Sequence, residues 1–113
     1  MISGIFSAVF ASNQNSGGTG VAIFSGNAIY GGDTSFYYRG KYKLDDKNRI
    51  SGTLDIVKHS DLLNSVFGPV DKFRLILNGV VNSEGFELSG QIDGQPSKII
   101  MIVLKKVDEL VEA

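Results

Sequence analysis

Apolar and polar residues alternate along this chain in short runs, and clusters of turn-forming residues cut the runs apart. The clusters are Ser16-Gly17-Gly18, Ser25-Gly26-Asn27, Gly31-Gly32-Asp33, Asp45-Asp46-Lys47-Asn48, Asn82-Ser83-Glu84-Gly85 and Asp93-Gly94-Gln95-Pro96. A period of two marks a strand with one face buried, and glycine, asparagine and aspartate supply the turn geometry between strands. The pattern predicts eight strands, near residues 3–11, 19–24, 28–32, 36–44, 50–59, 71–80, 86–92 and 97–105. Eight strands joined by tight turns need roughly 100 residues at ordinary strand and loop lengths. The 113 residues supply that with little to spare and leave no room for a crossover helix.

Consecutive strands therefore pair as hairpins, and closing the first onto the last removes both exposed edges. The expected fold is all-β, an eight-stranded antiparallel up-and-down barrel over residues 1–113 as a single domain, with a sandwich as the other arrangement the strand count allows. Ser60 to Pro69 interrupts the pattern and is expected to hold one helical turn. In the tail, Val107, Leu110 and Val111 have the i, i+3, i+4 spacing of an apolar helical stripe.

Side-chain parity sets the register. A loop from Asp45 to Arg49 pairs Leu44 with Ile50, Tyr42 with Gly52, Gly40 with Leu54 and Tyr38 with Ile56, and sets Arg39 across from Asp55 on the outer face. Large residues then face small ones, as the inside of a narrow barrel requires. In the next hairpin Phe73, Leu75 and Leu77 form the inward set, opposed by Gly90, Leu88 and Phe86.

The two chain ends break the alternation. Residues 3–11 offer Phe6, Ala8 and Phe10 on one face with Ile5 and Val9 on the other, while Ile99 to Leu104 is apolar on both. In a closed barrel these strands are neighbours, and Ile5, Val9, Ile100, Ile102 and Leu104 are expected to form one outer patch. Covering five such side chains is worth on the order of 8 to 15 kcal/mol. Either a second molecule or the tail residues Val107, Leu110 and Val111 could provide the cover; the expectation adopted is a homodimer or partner interface.

Composition sharpens this reading. Valine and isoleucine number 21 and aromatics 11, against 5 alanines and 4 glutamates, so strand formers dominate. Charges nearly cancel, 11 basic against 12 acidic, and only Asp33 is charged among the first 38 residues. Charge depletion beside an apolar patch is the composition of an interface core. With no cysteine and one histidine, thiolate chemistry and multi-histidine metal sites are excluded. Neither a basic segment before Ile2 nor an uninterrupted apolar run supports a secretory leader or a membrane span, so no membrane association and a cytoplasmic location are expected.

Catalysis finds little support. Lys58-His59-Ser60-Asp61 holds the residue types of a triad, but sequence neighbours at a strand end point apart. Asp45 and Asp46 lie at an exposed hairpin tip, where desolvation raises no pKa. Ser16-Gly17-Gly18-Thr19-Gly20 leads into a strand and lacks the lysine of a phosphate loop. Arg39, Lys41 and Lys43 alternate with Tyr38 and Tyr42, so cations and rings fall on opposite faces and do not line one nucleic-acid groove. No catalytic residue, metal or cofactor is assigned. A barrel this size can just hold a small apolar ligand, and the inward aromatics Phe6, Phe10, Tyr38, Tyr42, Phe73 and Phe86 are its candidate contacts.

Several residues carry a family resemblance. Gly4-Ile5-Phe6, Phe10 followed by Ser12-Asn13, Gly20, Gly26 with Ile29, Gly31-Gly32-Asp33, and Tyr38 with Gly40 resemble the GrlR-type negative regulators of type III secretion gene expression. The likeness covers roughly the first 40 residues. It implies a lipocalin-like barrel that dimerises and represses transcription indirectly, by sequestering a DNA-binding activator protein without contacting DNA. In that family an acidic hairpin is implicated in partner contact; the matching stretch here is Asp45-Asp46-Lys47-Asn48-Arg49, in which two bases dilute Asp45 and Asp46.

Overall fold

The computed structural model describes residues 2–62, 65–68, 70–82 and 85–112. Its elements are β1 (Gly4–Ser12), β2 (Ser16–Ser25), β3 (Ala28–Gly32), β4 (Phe36–Leu44), β5 (Arg49–Lys58), β6 (Lys72–Val80), β7 (Gly85–Ile92) and β8 (Gln95–Asp108). Each strand pairs antiparallel with the next, and β8 returns to β1, closing the up-and-down barrel. Closure removes the two open edges that would otherwise expose unpaired backbone groups. The β1–β2, β3–β4, β5–β6 and β7–β8 connections gather at one end, and the termini with the other three connections at the opposite end.

The β4–β5 hairpin has the expected register, with Leu44 opposite Ile50, Tyr42 opposite Gly52, Gly40 opposite Leu54 and Tyr38 opposite Ile56. Between β6 and β7 the expected faces hold, but the register is displaced by four residues: Leu77 faces Gly90 instead of Phe86, and Leu88 faces Gly79 instead of Leu75. The displaced register sets Leu77 and Leu88 each against a glycine, while Leu75 faces Ile92. It is reached through a longer connection whose Ser83 and Glu84 lie outside the described residues. Asp55 does stand across from Arg39, but its ion pair is with Arg74 of β6 at 2.7 Å.

Gly31 is needed for space rather than for a left-handed backbone. A Cβ there would sit 2.1 Å from the Val21 carbonyl oxygen, where β2 and β3 bend closely past each other. Two further expectations are corrected. Among the described residues of this stretch, 61–62 bend and 65–68 turn about a Ser65–Gly68 bridge with no helix, while Leu63, Asn64 and Pro69 fall outside them. The tail does not fold back as a cover either: β8 runs on to Asp108, and Val107 and Val111 remain 58% and 92% exposed. Two apolar turns are too short to form a helix without a surface to pack on.

The core has two halves. Toward the termini, Phe6, Phe24, Tyr42 and Phe86 meet edge to face at centroid separations of 5.2 to 5.8 Å. The Tyr42 hydroxyl closes this end by donating to the Gly26 carbonyl at 2.7 Å and accepting from the Ile2 amide at 3.0 Å. A polar tip on a buried ring is thereby satisfied.

Candidate functional site

Two surfaces stand out, one inside the barrel and one outside. The inner one is a cavity of about 300 Å3 at the end opposite the aromatic plug. Its wall is mostly apolar, from Ala8, Phe10, Ala22, Phe24, Phe36, Leu54, Ile56, Phe73, Leu75 and Ile102 among others, and Thr19, Asp33, Thr34, Ser35 and Ser65 ring the mouth. Of the six candidate ligand contacts, Phe10, Tyr38 and Phe73 line this cavity, whereas Phe6, Tyr42 and Phe86 belong to the plug. Strand parity shows which way a ring points but not how deep in the barrel it lies. Phe24 and Phe36 are also wall residues and were not among the six.

The β3–β4 turn builds the mouth. Asp33 Oδ1 accepts the amides of Ser35 at 3.0 Å and Phe36 at 2.9 Å, the local capping that aspartate makes in turns. Its Oδ2 accepts the hydroxyl of Tyr38, reaching back from β4. Burial of the ring, then this bond and the carboxylate's charge, push the Tyr38 phenol well above its ordinary range. Tyr38 has room because Gly20 lies beside it: a Cβ there would be 2.8 Å from the hydroxyl oxygen. Beside the opening, where Ser65 and Val66 join the wall, the buried Phe67 meets Phe73 edge to face at 5.6 Å, and the Ser12 hydroxyl donates to the Val66 carbonyl at 2.7 Å.

The triad-like run does not assemble a base and a nucleophile. His59 Nε2 lies 3.1 Å from the Asp33 carbonyl oxygen, and Lys58 reaches Asp61 at 3.7 Å and Asp71 at 3.4 Å.

The outer surface confirms a ladder but not the one expected from sequence. Ile100, Ile102 and Leu104 point into the barrel and are buried. Pairing with β1 sets them opposite Ser12, Phe10 and Ala8, on the inward face. The outward residues of β8 are Ile99, Met101 and Val103, with Met101 44% and Val103 46% exposed. Both sets are apolar, so sequence parity could not choose between them. Val9, 54% exposed, stands directly beside Val103, Ala11 beside Met101, and Val9 also beside Thr19 of β2. Ile5 is half-buried and adjoins Ile23, which in turn adjoins Tyr30 of β3.

Together with Val21, these residues make an apolar outer face across β3, β2, β1 and β8. Charge begins at its rim, with Arg39 beside Tyr30, Glu87 beside Val103 and Lys105 beside Ser7.

At the opposite end, the candidate contact hairpin is partly occupied with itself. Asp45 Oδ1 accepts the amides of Arg49 and Lys47, each at 2.9 Å, and Oδ2 pairs with the Arg49 guanidinium at 2.8 Å. The Arg49 amide first, with the Lys47 amide and the Arg49 side chain, holds the Asp45 carboxyl below its ordinary range despite its small desolvation. Asp46 is exposed, so it alone of the two aspartates presents its charge to solvent without a turn bond.

Comparison with protein-family models and with curated proteins found no match to this chain.

Proposed function

We propose that this barrel is a non-enzymatic regulatory protein of the cytoplasm, dimeric, that lowers transcription by binding a DNA-binding activator protein in the manner of the GrlR-type regulators it resembles. The observation that carries the reading is the outer face of Val9, Val21, Tyr30, Met101 and Val103, spread over four strands and free of charge to its rim. Contiguous apolar surface of this kind, bordered by polar residues, suits a protein contact better than water. The basic stripe Arg39, Lys41 and Lys43 is exposed on β4, with Tyr38 and Tyr42 buried behind it and the exposed rings of Tyr30 and Tyr37 beside Arg39, so the indirect mode is drawn from the family likeness and the apolar face.

Deleting the gene and measuring the whole transcript population tests this. A defined set of transcripts should rise, return to the starting level with the wild-type chain, and stay raised with Val103→Asp, provided the variant keeps its β circular dichroism. A folded Val103→Asp chain that represses as well as wild type overturns the surface-binding reading.

A further inference from the structure

Protein interiors pack as densely as organic crystals, and voids wider than a water molecule are few. This barrel departs from that in one half only. Four rings fill the end near the termini, while the other end keeps a cavity of about 300 Å3. Two of its inward wall positions, Ala8 and Ala22, are small and buried, so the space exists where a larger side chain would close it. The wall below the mouth is hydrocarbon, with no ordered place for water to find several polar partners.

An apolar cavity of about 150 Å3 takes up benzene, so one of twice that volume has room for on the order of a dozen heavy atoms. We propose that this cavity is a binding site for an uncharged, hydrocarbon-rich small molecule of that size, its chain in the barrel and its polar end toward Asp33, Thr34 and Ser65. This site is separate from the outer face and stands whether or not that face binds a protein.

The mouth dictates the absence of charge. Asp33 is the one charged group among the described wall residues. Its oxygens already accept the Ser35 and Phe36 amides and the Tyr38 hydroxyl. A carboxylate ligand would lie beside it with no cation on the wall to offset the repulsion. Lys58 and His59, at the adjoining end of β5, are held to Asp61 and Asp71 and to the Asp33 carbonyl. An ammonium head would exchange its water for a carboxylate whose lone pairs are largely spent.

The test uses the full chain with 13C-labelled isoleucine, leucine and valine methyls, titrated separately with 1-decanol, decanoate and decylammonium. With 1-decanol, the methyls of Ile56, Leu75 and Ile102 should shift saturably and show cross-relaxation to the alkyl chain. Decanoate and decylammonium should bind at least tenfold more weakly. Ala22→Leu should weaken decanol at least tenfold, whereas Val9→Ser on the outer face should leave its affinity within twofold. No saturable shift up to the solubility limit of decanol, equal or tighter binding of either ion, or wild-type affinity in a folded Ala22→Leu chain would each overturn the proposal. Should Ala22→Leu not fold, the wild-type cross-relaxation decides: contacts to the Val9 and Val103 methyls instead of those inside refute an interior site.

Discussion

Asp33 and Asp45 are both turn aspartates, and their partners give them different consequences. Asp33 joins the β3–β4 turn to the inside of the barrel through Tyr38. Removing the hydroxyl leaves a partly buried carboxylate oxygen short of a donor, so Tyr38→Phe should cost about 1–3 kcal/mol in urea unfolding. A phenol whose folded pKa is raised stabilises the fold below its unfolded pKa of about 10 and loses that contribution as pH rises above it. In spectrophotometric titration Tyr38 should therefore ionise only as the chain unfolds, and Tyr38→Phe should soften the alkaline loss of stability. For Asp45 the sign reverses: its folded pKa is lowered, so its contribution is present above the unfolded value and disappears as pH falls below about 4. Asp45→Asn keeps a side-chain oxygen for the turn without the titration. Urea unfolding from pH 6 down to pH 2 should show a shallower decline for this variant than for wild type.

At the scale of strands, the barrel is shaped by where small residues let neighbours close in. Gly31 faces Tyr38, and an added Cβ would meet both the Val21 carbonyl oxygen at 2.1 Å and the Tyr38 ring at 3.0 Å. Backbone cannot yield as a flexible side-chain tip does, so Gly31→Ala should destabilise by more than about 2 kcal/mol, read from the denaturation midpoint. The aromatic plug is the complementary case. Phe24 touches Phe6, Tyr42 and Phe86 and is 1% exposed. Its replacement by alanine opens a void that three other rings cannot fill, and Phe24→Ala should cost about 3–5 kcal/mol in the same measurement.

For the whole molecule, the decisive feature is that adjacent residues of β8 serve opposite surfaces. Ile102 is buried within the barrel and Val103 lies on the outer face beside Val9. On the dimer proposed above, Val103→Asp should keep strand content while shifting the molecular mass in light scattering from dimer to monomer. Ile102→Asp places a carboxylate among hydrocarbon, where neither water nor a cation compensates it, and should lose the fold by circular dichroism at 25 °C. A dimeric Val103→Asp chain would show that the outer face is not where the copies meet.

Local pattern was enough for the strands, the closed order and the β4–β5 register, because alternation, glycine turns and one complementary row of large and small residues all sit within a single hairpin. The near absence of charge in the first 38 residues pointed to an outer surface near β1. Three things needed the assembled barrel. Ile99 to Leu104 is apolar at every position, so only pairing with β1 decides that Met101 and Val103 face out. Leu77 could oppose either Phe86 or Gly90, and only the longer β6–β7 connection selects the glycine. Depth along the barrel separates the packed rings of Phe6, Tyr42 and Phe86 from the cavity wall of Phe10, Tyr38 and Phe73. A period of two records which side of a sheet a residue takes; it holds no information about height within a closed cylinder, which comes from the stagger of all eight strands together.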